Sequence, residues 1–226
     1  MKKIKQALLV AGCLFATTSL FAQASKGDWA QFGRYEAANK TVKDPQVLFM
    51  GNSITDFWYP NDSTFFINNN FVDRGISGQT TSEMLVRFRQ DVINLKPKAV
   101  VIMAGINDIA YNNGFIKIEN VFGNLVSMAE LAKANNIKVI FSSVMPAFAF
   151  PWRKELKPAN TVIQLNEMIK KYCKKNHLTY VDYHSAMKDE RNGLPKKFSE
   201  DGVHPNLAGY KVMEEIVLKG IRKTIK

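Results

Sequence analysis

The sequence predicts a single α/β domain of three layers, α/β/α, in which helices cover both faces of a five-stranded parallel sheet. Length and composition suit one globular domain with a substantial core, since 46% of the 226 residues are hydrophobic. Short apolar runs alternate with amphipathic stretches, as in parallel strands joined by crossover helices. Because no internal repeat or low-complexity tract divides the chain, we assign the domain to residues 25–226.

Five runs rich in valine, isoleucine or aromatic residues are the predicted strands. In chain order they are residues 47–50, 71–72, 99–103, 138–141 and 179–181. In such sheets ligands bind beyond the carboxyl ends of the strands, where loops and helix N-termini converge. We therefore expect the functional residues directly after these runs.

Apolar residues at steps of three and four predict the helices. The clearest stripe consists of Val121, Leu125, Met128, Ala129 and Ala132. A second stripe predicts a terminal helix and consists of Val212, Met213, Ile216 and Val217. Thr80 and Glu83 have the spacing of a capping box, and Asn206 after Pro205 is placed to cap the terminal helix.

Residues 1–24 are typical of a signal peptide, which predicts a periplasmic or secreted protein. Lys2, Lys3 and Lys5 precede an apolar run, and Ala22-Gln23-Ala24 supplies a small-x-small cleavage site. The run is interrupted by polar residues and is short for a membrane span of ~20 residues, so stable membrane insertion is not expected. Small residues before Cys13 leave lipid anchoring at that cysteine open as an alternative.

The charge is basic but carries no nucleic-acid signature. The formal net charge is +11, and removal of three leader lysines leaves +8. The cations are scattered, without interleaved aromatic residues or a nucleic-acid motif, so no nucleic-acid partner is expected. An anion- or membrane-binding surface, whose binding salt would screen, stays open. Cys173 would be the only cysteine of the exported chain, and we predict that it is a buried small hydrophobe.

Ser53 and His204 are the candidate nucleophile and base. Ser53 follows the first strand at a glycine turn, and a serine hydroxyl needs a neighbouring base to act as a nucleophile. His204 lies just before the terminal helix, and Asp201 on the same loop could hold its second ring nitrogen. For His177 and His184 we expect surface or loop positions, and no third ligand accompanies Asp182 and His184 to suggest a metal.

An acyl-transfer site also needs donors for its oxyanion. Gly78 and Asn107 follow the second and third strands, as a backbone donor and a side-chain donor. From the residues alone, Gly78 could equally serve a turn and Asn107 could equally cap a helix.

Four blocks together resemble the SGNH, or GDSL-like, hydrolases. They are Gly51-Asn52-Ser53-Ile54, Ser77-Gly78-Gln79-Thr80, Gly105-Ile106-Asn107-Asp108 and Asp201-Gly202-Val203-His204-Pro205. Their order and spacing agree with the family between residues 47 and 210. The serine followed by Ile-Thr and the second block resemble the branch related to platelet-activating-factor acetylhydrolase, which favours short acyl groups.

The resemblance implies a flavodoxin-like sheet and a role for each matched residue. Ser53 would be the nucleophile, His204 the general base and Asp201 its partner, while Ser53, Gly78 and Asn107 would form the oxyanion hole without any cofactor. Gly75 lies in the same loop and is a rival for the backbone donor. Asn52 stands where the family motif usually has aspartate, a position outside the triad.

For the substrate we expect a short, acetyl ester on a carbohydrate, with Trp58, Trp152 and Arg153 as candidate binding residues. Aromatic side chains near the site can stack on a sugar or contact a lipid chain, and Arg153 could pair with a carboxylate. A lysophospholipase or thioesterase acting on longer chains is the second hypothesis, and a non-catalytic glycan-binding module of the same fold is a third. The sequence leaves the oligomeric state open.

Overall fold

A five-stranded, all-parallel sheet forms the centre of the protein, which the computed structural model describes over residues 27–225. The strands are β1 (Val47–Gly51), β2 (Phe71–Gly75), β3 (Ala99–Met103), β4 (Lys138–Ser142) and β5 (Thr179–Val181). Their order across the sheet is β2-β1-β3-β4-β5, so β2 is an edge strand. Gly51 pairs with both Gly75 and Met103, and the carboxyl ends of these three strands therefore lie side by side.

Helices cover the two faces of this sheet. In chain order they are α1 (Gly33–Asn39), α2 (Ser53–Asp56), α3 (Trp58–Asn61), α4 (Ser63–Asn69), α5 (Thr81–Asp91), α6 (Ile106–Ile109), α7 (Ile118–Ala134), α8 (Ala159–Lys175), α9 (Tyr183–Met187) and α10 (Leu207–Thr224). α7 packs between α5 and α8, while α10 contacts α3 and α9. The predicted α/β/α class with five parallel strands is confirmed.

The predicted apolar stripe of α7 faces the core throughout its length, since all five of its residues are buried. Thr80 donates its backbone N–H to the Glu83 carboxylate over 2.7 Å, and the Asn206 side chain accepts from the N–H of Gly209 over 3.0 Å. The capping box of α5 and the N-cap of α10 are therefore confirmed. Cys173 is 1% exposed, as expected of a small hydrophobe.

β2 is longer than the sequence predicts, because two buried polar residues continue it beyond Val72. The Asp73 carboxylate accepts the N–H of Gly75 over 2.7 Å, and Arg74 Nε donates to the Asn39 side chain over 2.8 Å. These contacts satisfy part of each side chain, while Asp73 Oδ2 and Arg74 Nη2 are buried without a partner among the described residues. An apolar pattern cannot anticipate such buried polar positions.

The predicted signal peptide, with Cys13, lies outside the residues described. Between residues 27 and 225, no helix is both long enough and apolar enough to span a membrane.

Candidate active site

Ser53 is the first residue of α2, immediately beyond the end of β1. The turn is tight, because a Cβ at Gly51 would lie 2.0 Å from the Thr55 hydroxyl oxygen. Asn52 caps α2, its side-chain oxygen accepting the N–H of Ile54 over 3.2 Å. An amide oxygen thus makes the contact that a carboxylate could make at this position.

His204 reaches Ser53 from the loop before α10. Its Nε2 lies 2.9 Å from Ser53 Oγ, and its Nδ1 lies 2.6 Å from Asp201 Oδ2. The two contacts form an unbroken chain from hydroxyl to imidazole to carboxylate, the geometry in which an imidazole can accept a serine proton. The structure therefore brings together Ser53, His204 and Asp201, the three residues that the sequence analysis proposed.

The Asp201 carboxylate is held by its own loop as well as by His204. Its Oδ1 accepts the backbone N–H groups of Val203 and His204 over 2.9 and 2.8 Å, and the hydroxyl of Ser199 over 3.0 Å. Partial burial raises the pKa of Asp201, but the hydrogen bonds from His204 and Val203 outweigh it and lower the pKa to about 2. The carboxylate is ionised at neutral pH and fixes the ring that it contacts.

A buried tyrosine joins the histidine loop to the serine helix. Tyr210 on α10 has no exposed surface and donates its hydroxyl to the carbonyl oxygen of Ile54 over 2.8 Å. His204 and Tyr210 lie on either side of the start of α10. The contact therefore holds the His204 loop next to the helix that carries Ser53.

Asn107 and Gly78 lie on neighbouring loops that contact each other. Asn107 is 4% exposed and donates one Nδ2 hydrogen to the carbonyl oxygen of Gln79 over 3.0 Å. Its neighbour Asp108 accepts the N–H of Thr81 over 3.0 Å and its hydroxyl over 2.6 Å. The loops after β2 and β3 are thus joined at the same edge as Ser53, and Asn107 keeps a second amide hydrogen that this contact does not use.

The backbone separates Gly78 from Gly75. The N–H of Gly75 donates to Asp73, and a Cβ there would lie 2.0 Å from the backbone nitrogen of Asp56. Gly78 has a φ of +82° and open space where a Cβ would lie. Within residues 27–225, the N–H groups of Gly78 and Ser53 donate to no other protein group. Gly75 therefore allows close packing, while Gly78 presents an available donor.

A buried guanidinium hydrogen-bonds to the ends of β1 and β2. Arg87 on α5 is fully buried and pairs with Asp91 over 2.9 Å. Its Nη2 donates to the carbonyl oxygens of Gly51 and Arg74 over 3.1 and 2.9 Å, and its Nε donates to the side chain of Gln79 over 2.5 Å. One side chain thus links the ends of β1 and β2 to the Gly78 loop. The sequence analysis missed Arg87, whose only signal was a charge on the apolar face of α5.

The predicted binding role of Trp58 is wrong, because this side chain belongs to the core. Trp58 is 1% exposed, stacks on Phe65 and Tyr210, and donates Nε1–H to Glu214 over 3.3 Å. Its neighbour Phe57 is 40% exposed and lies 5.3 Å, between ring centroids, from His204. Phe57 is the aromatic residue of this segment that borders the site.

Trp152 does lie beside the His204 imidazole. Its ring centroid is 6.1 Å from that of His204, and 43% of the residue is exposed. The ring stacks on Phe150, which has no exposed surface and anchors the loop. Arg153 Nη2 donates to the carbonyl oxygen of Tyr111 over 3.4 Å, and Nη1 lies 3.9 Å from Glu155, so its substrate contact stays a prediction.

The two remaining histidines have different environments. His177 is exposed, as expected, but His184 is 6% exposed, so its expected surface position is wrong. Its backbone N–H donates to the Ser143 hydroxyl over 2.8 Å, which draws α9 against the end of β4. Asp182 instead caps α9 through Ser185. No group of three His, Cys, Asp or Glu side chains within the described part of the chain could hold a metal ion.

Comparison with known proteins gives one family match and similar solved structures. Residues 49–212 match the GDSL-like lipase/acylhydrolase family. A GDSL-like lipase from Bacteroides thetaiotaomicron is 45% identical, with a TM-score of 0.84 over 86% of this chain and 98% of its own. A candidate acylhydrolase from Bacteroides fragilis is also 45% identical, with a TM-score of 0.86 over 88% and 99%.

A more distant relative is the acetylxylan esterase of Geobacillus stearothermophilus. It is 27% identical over 155 residues, which cover 66% of this chain and 71% of the relative. The matched family segment contains all four of the motif blocks that surround the Ser53–His204 contact.

Proposed function

Since this chain belongs to the GDSL-like lipase/acylhydrolase family and is a carboxylic ester hydrolase, we propose that it removes short acyl groups, chiefly acetyl, from carbohydrates. The observation that carries the proposal is the chain of contacts from Ser53 Oγ to His204 Nε2 and from His204 Nδ1 to Asp201, over 2.9 and 2.6 Å. For Nε2 to accept the Ser53 proton, the neutral imidazole must carry its own proton on Nδ1, which donates to Asp201.

The reaction begins with attack of Ser53 Oγ on the ester carbonyl carbon while His204 Nε2 takes the hydroxyl proton. Negative charge develops on the carbonyl oxygen, and the N–H groups of Ser53 and Gly78 with the free amide hydrogen of Asn107 stabilise it. The intermediate expels the alcohol, to which His204 returns the proton. Water, which gives a proton to His204, then attacks the acyl-enzyme. Collapse of this second intermediate releases the acid as His204 returns the proton to Ser53 Oγ.

Acetyl esters of a carbohydrate are the proposed substrate class. The relative named as an acetylxylan esterase supports this class. The partly exposed rings of Phe57 and Trp152 next to His204 also support it, because aromatic faces beside the reacting atoms can pack against a sugar ring.

Exposed apolar side chains favour a second candidate, the hydrolysis of longer acyl chains. Phe148 and Trp152 are 48% and 43% exposed on the loop after β4. A lysophospholipase or thioesterase would use such side chains to cover an acyl chain. A glycan-binding module without catalysis would need none of the Ser53–His204–Asp201 contacts.

Rates on p-nitrophenyl acetate, butyrate, octanoate and palmitate separate these functions, with Ser53→Ala as the control. We expect activity confined to the short esters and abolished in Ser53→Ala, after which an acetylated xylo-oligosaccharide is the natural next substrate. A preference for octanoate or palmitate would contradict the acetylesterase and favour a lipid substrate. Glycan binding without Ser53-dependent hydrolysis of any ester would favour the module.

We also propose that the protein is exported and that residues 1–24 are removed. The basic start, the apolar run and the Ala22-Gln23-Ala24 site support this proposal. Intact mass of the protein recovered from cells tests it, since cleavage after Ala24 and lipidation at Cys13 leave chains of different mass. An unprocessed N-terminus would contradict both.

A further inference from the structure

We propose that a groove beside the active site binds the alcohol part of the ester and that this alcohol is a carbohydrate. The groove, called the α1–α3 groove below, lies between α1, α3 and the edge strand β2. The inference rests on the proposed function and specifies where the part of the substrate that leaves is held.

The α1–α3 groove has the size and the mixed lining of a small-molecule site. Its volume is about 630 Å³, within the range of about 300–1,000 Å³ typical of ligand pockets. Apolar side chains and two exposed aromatic rings alternate with charged groups along its walls. The residues that matter most to the argument are Arg34, Val42, Asp56, Phe57, Tyr59 and Pro60.

Two contacts place the groove next to the reacting atoms. Phe57 lines the groove and also lies 5.3 Å from the imidazole of His204, between ring centroids. Asp56, another lining residue, accepts the hydroxyl and the N–H of Ser77 over 2.6 and 3.1 Å. Ser77 directly precedes Gly78, so one lining residue of the groove contacts His204 and another contacts the loop of Gly78.

The alcohol is the part of the substrate that this position suits. In the tetrahedral intermediate the oxyanion faces Gly78 and Asn107, whereas the leaving oxygen must face His204 Nε2 to receive its proton. Phe57 is one of the two aromatic rings next to the imidazole, so an alcohol larger than methanol that passes Phe57 reaches the groove.

The side chains of the groove favour a polyhydroxylated alcohol over an acyl chain. The Arg34 guanidinium lies 3.2 Å from Asp56, with side-chain exposures of 53% and 16%. Phe57 and Tyr59 are 40% and 45% exposed. Sugar hydroxyls can hydrogen-bond to the charged pair while the C–H faces of the ring pack on the aromatic rings. An acyl chain would take this charged pair out of water and offer no hydrogen-bonding group in place of the water.

The experiment compares two acetyl esters that differ only in their alcohol, p-nitrophenyl acetate and an acetylated xylo-oligosaccharide. The readout is the ratio of their kcat/KM values for wild type, Tyr59→Ala and Arg34→Ala. Tyr59→Phe keeps the aromatic ring, and Arg89→Ala removes an exposed arginine that does not line the groove. The same oligosaccharide with longer acyl groups tests the acyl-chain alternative.

We expect Tyr59→Ala and Arg34→Ala each to lower the oligosaccharide-to-nitrophenyl ratio about tenfold, the effect of one charge-assisted hydrogen bond or one aromatic contact. Tyr59→Phe and Arg89→Ala should keep the wild-type ratio. An unchanged ratio in both alanine variants would overturn the groove, as would a loss seen only with longer acyl groups. Failure of the proposed function is distinct, since wild type would then hydrolyse p-nitrophenyl acetate but not the oligosaccharide, or neither ester in a Ser53-dependent manner.

Discussion

Arg87 donates from Nη2 to the carbonyl oxygen of Gly51 over 3.1 Å, two residues before Ser53. The guanidinium has no contact with solvent, and Asp91, equally buried, balances its charge over 2.9 Å. Burial lowers the pKa of Arg87 and the hydrogen bond with Asp91 raises it, so the ion pair offsets part of the cost of desolvation. The turn that presents Ser53 thus depends on a charge pair beneath the sheet edge.

Removal of one partner of this pair should destabilise the protein strongly. Asp91→Ala leaves the Arg87 charge buried without its counter-ion, and we expect the free energy of unfolding to fall by about 3–5 kcal/mol. Urea denaturation measures this change, with Arg89→Ala on the exposed face of the same helix as control. A loss below about 1 kcal/mol for Asp91→Ala would contradict the role given to the pair.

The two glycines of the loop after β2 should respond differently to alanine. Gly75→Ala places a Cβ 2.0 Å from the backbone nitrogen of Asp56, so we expect a loss of about 3 kcal/mol or more. Gly78→Ala meets open space but must keep a φ of +82°, which costs about 1–2 kcal/mol. Thermal unfolding of the two variants measures the difference, and a more stable Gly75→Ala protein would contradict the packing described.

The sequence alone does not decide which glycine of this loop supplies the backbone donor. The motif match favours Gly78 over Gly75, but both are glycines a few residues apart. Hydrogen bonding, φ and the space around each Cα separate them in the structure. Gly75 N–H is used by Asp73, a residue whose burial the sequence conceals because Asp73 and Arg74 interrupt the apolar run of β2. Strand positions follow from short-range patterns, whereas the burial of these polar residues involves distant segments, such as Asn39, which accepts from Arg74 Nε over 2.8 Å.

Asp73 should make stability depend on pH. Burial raises the pKa of its carboxyl to about 7, although the N–H of Gly75 opposes the shift. Between about pH 4 and pH 7 the folded protein therefore holds a proton that an unfolded aspartate has lost, so stability falls as the pH rises through this window. Relative to Asp73→Asn, the Tm of wild type should decline between these limits and stay level above them. Parallel Tm curves would show that Asp73 ionises normally.

Asn107→Ala should impair turnover much more than folding. If its free amide hydrogen contacts the developing oxyanion, we expect kcat to fall about 10²–10³-fold, or about 2.7–4 kcal/mol of transition-state stabilisation. Steady-state kinetics on p-nitrophenyl acetate measure the loss, with the exposed Asn135→Ala as a control that should keep wild-type kcat. A kcat within about twofold of wild type for Asn107→Ala would remove it from the oxyanion hole.

Local sequence pattern does not determine which aromatic residues are buried, because tertiary packing decides it. Phe57 and Trp58 are adjacent, and nothing in their composition tells which one borders the site. Successive helical residues point in different directions, and packing against Phe65 and Tyr210 sends Trp58 inward. His184 is buried for a similar reason. Its backbone N–H donates to Ser143, 41 residues away, and this contact holds α9 against the end of β4. The contacts among Ser53, His204 and Asp201 could be predicted from the sequence because these residues occur in recognisable blocks.

Hydrolysis of p-nitrophenyl acetate by Ser53→Ala tests the central claim most directly. The hydroxyl 2.9 Å from His204 Nε2 is the proposed nucleophile, and its removal should lower kcat on the order of 10⁶-fold in a protein whose Tm is close to that of wild type. Activity in Ser53→Ala within about tenfold of wild type would show that another group attacks the ester and would contradict the mechanism.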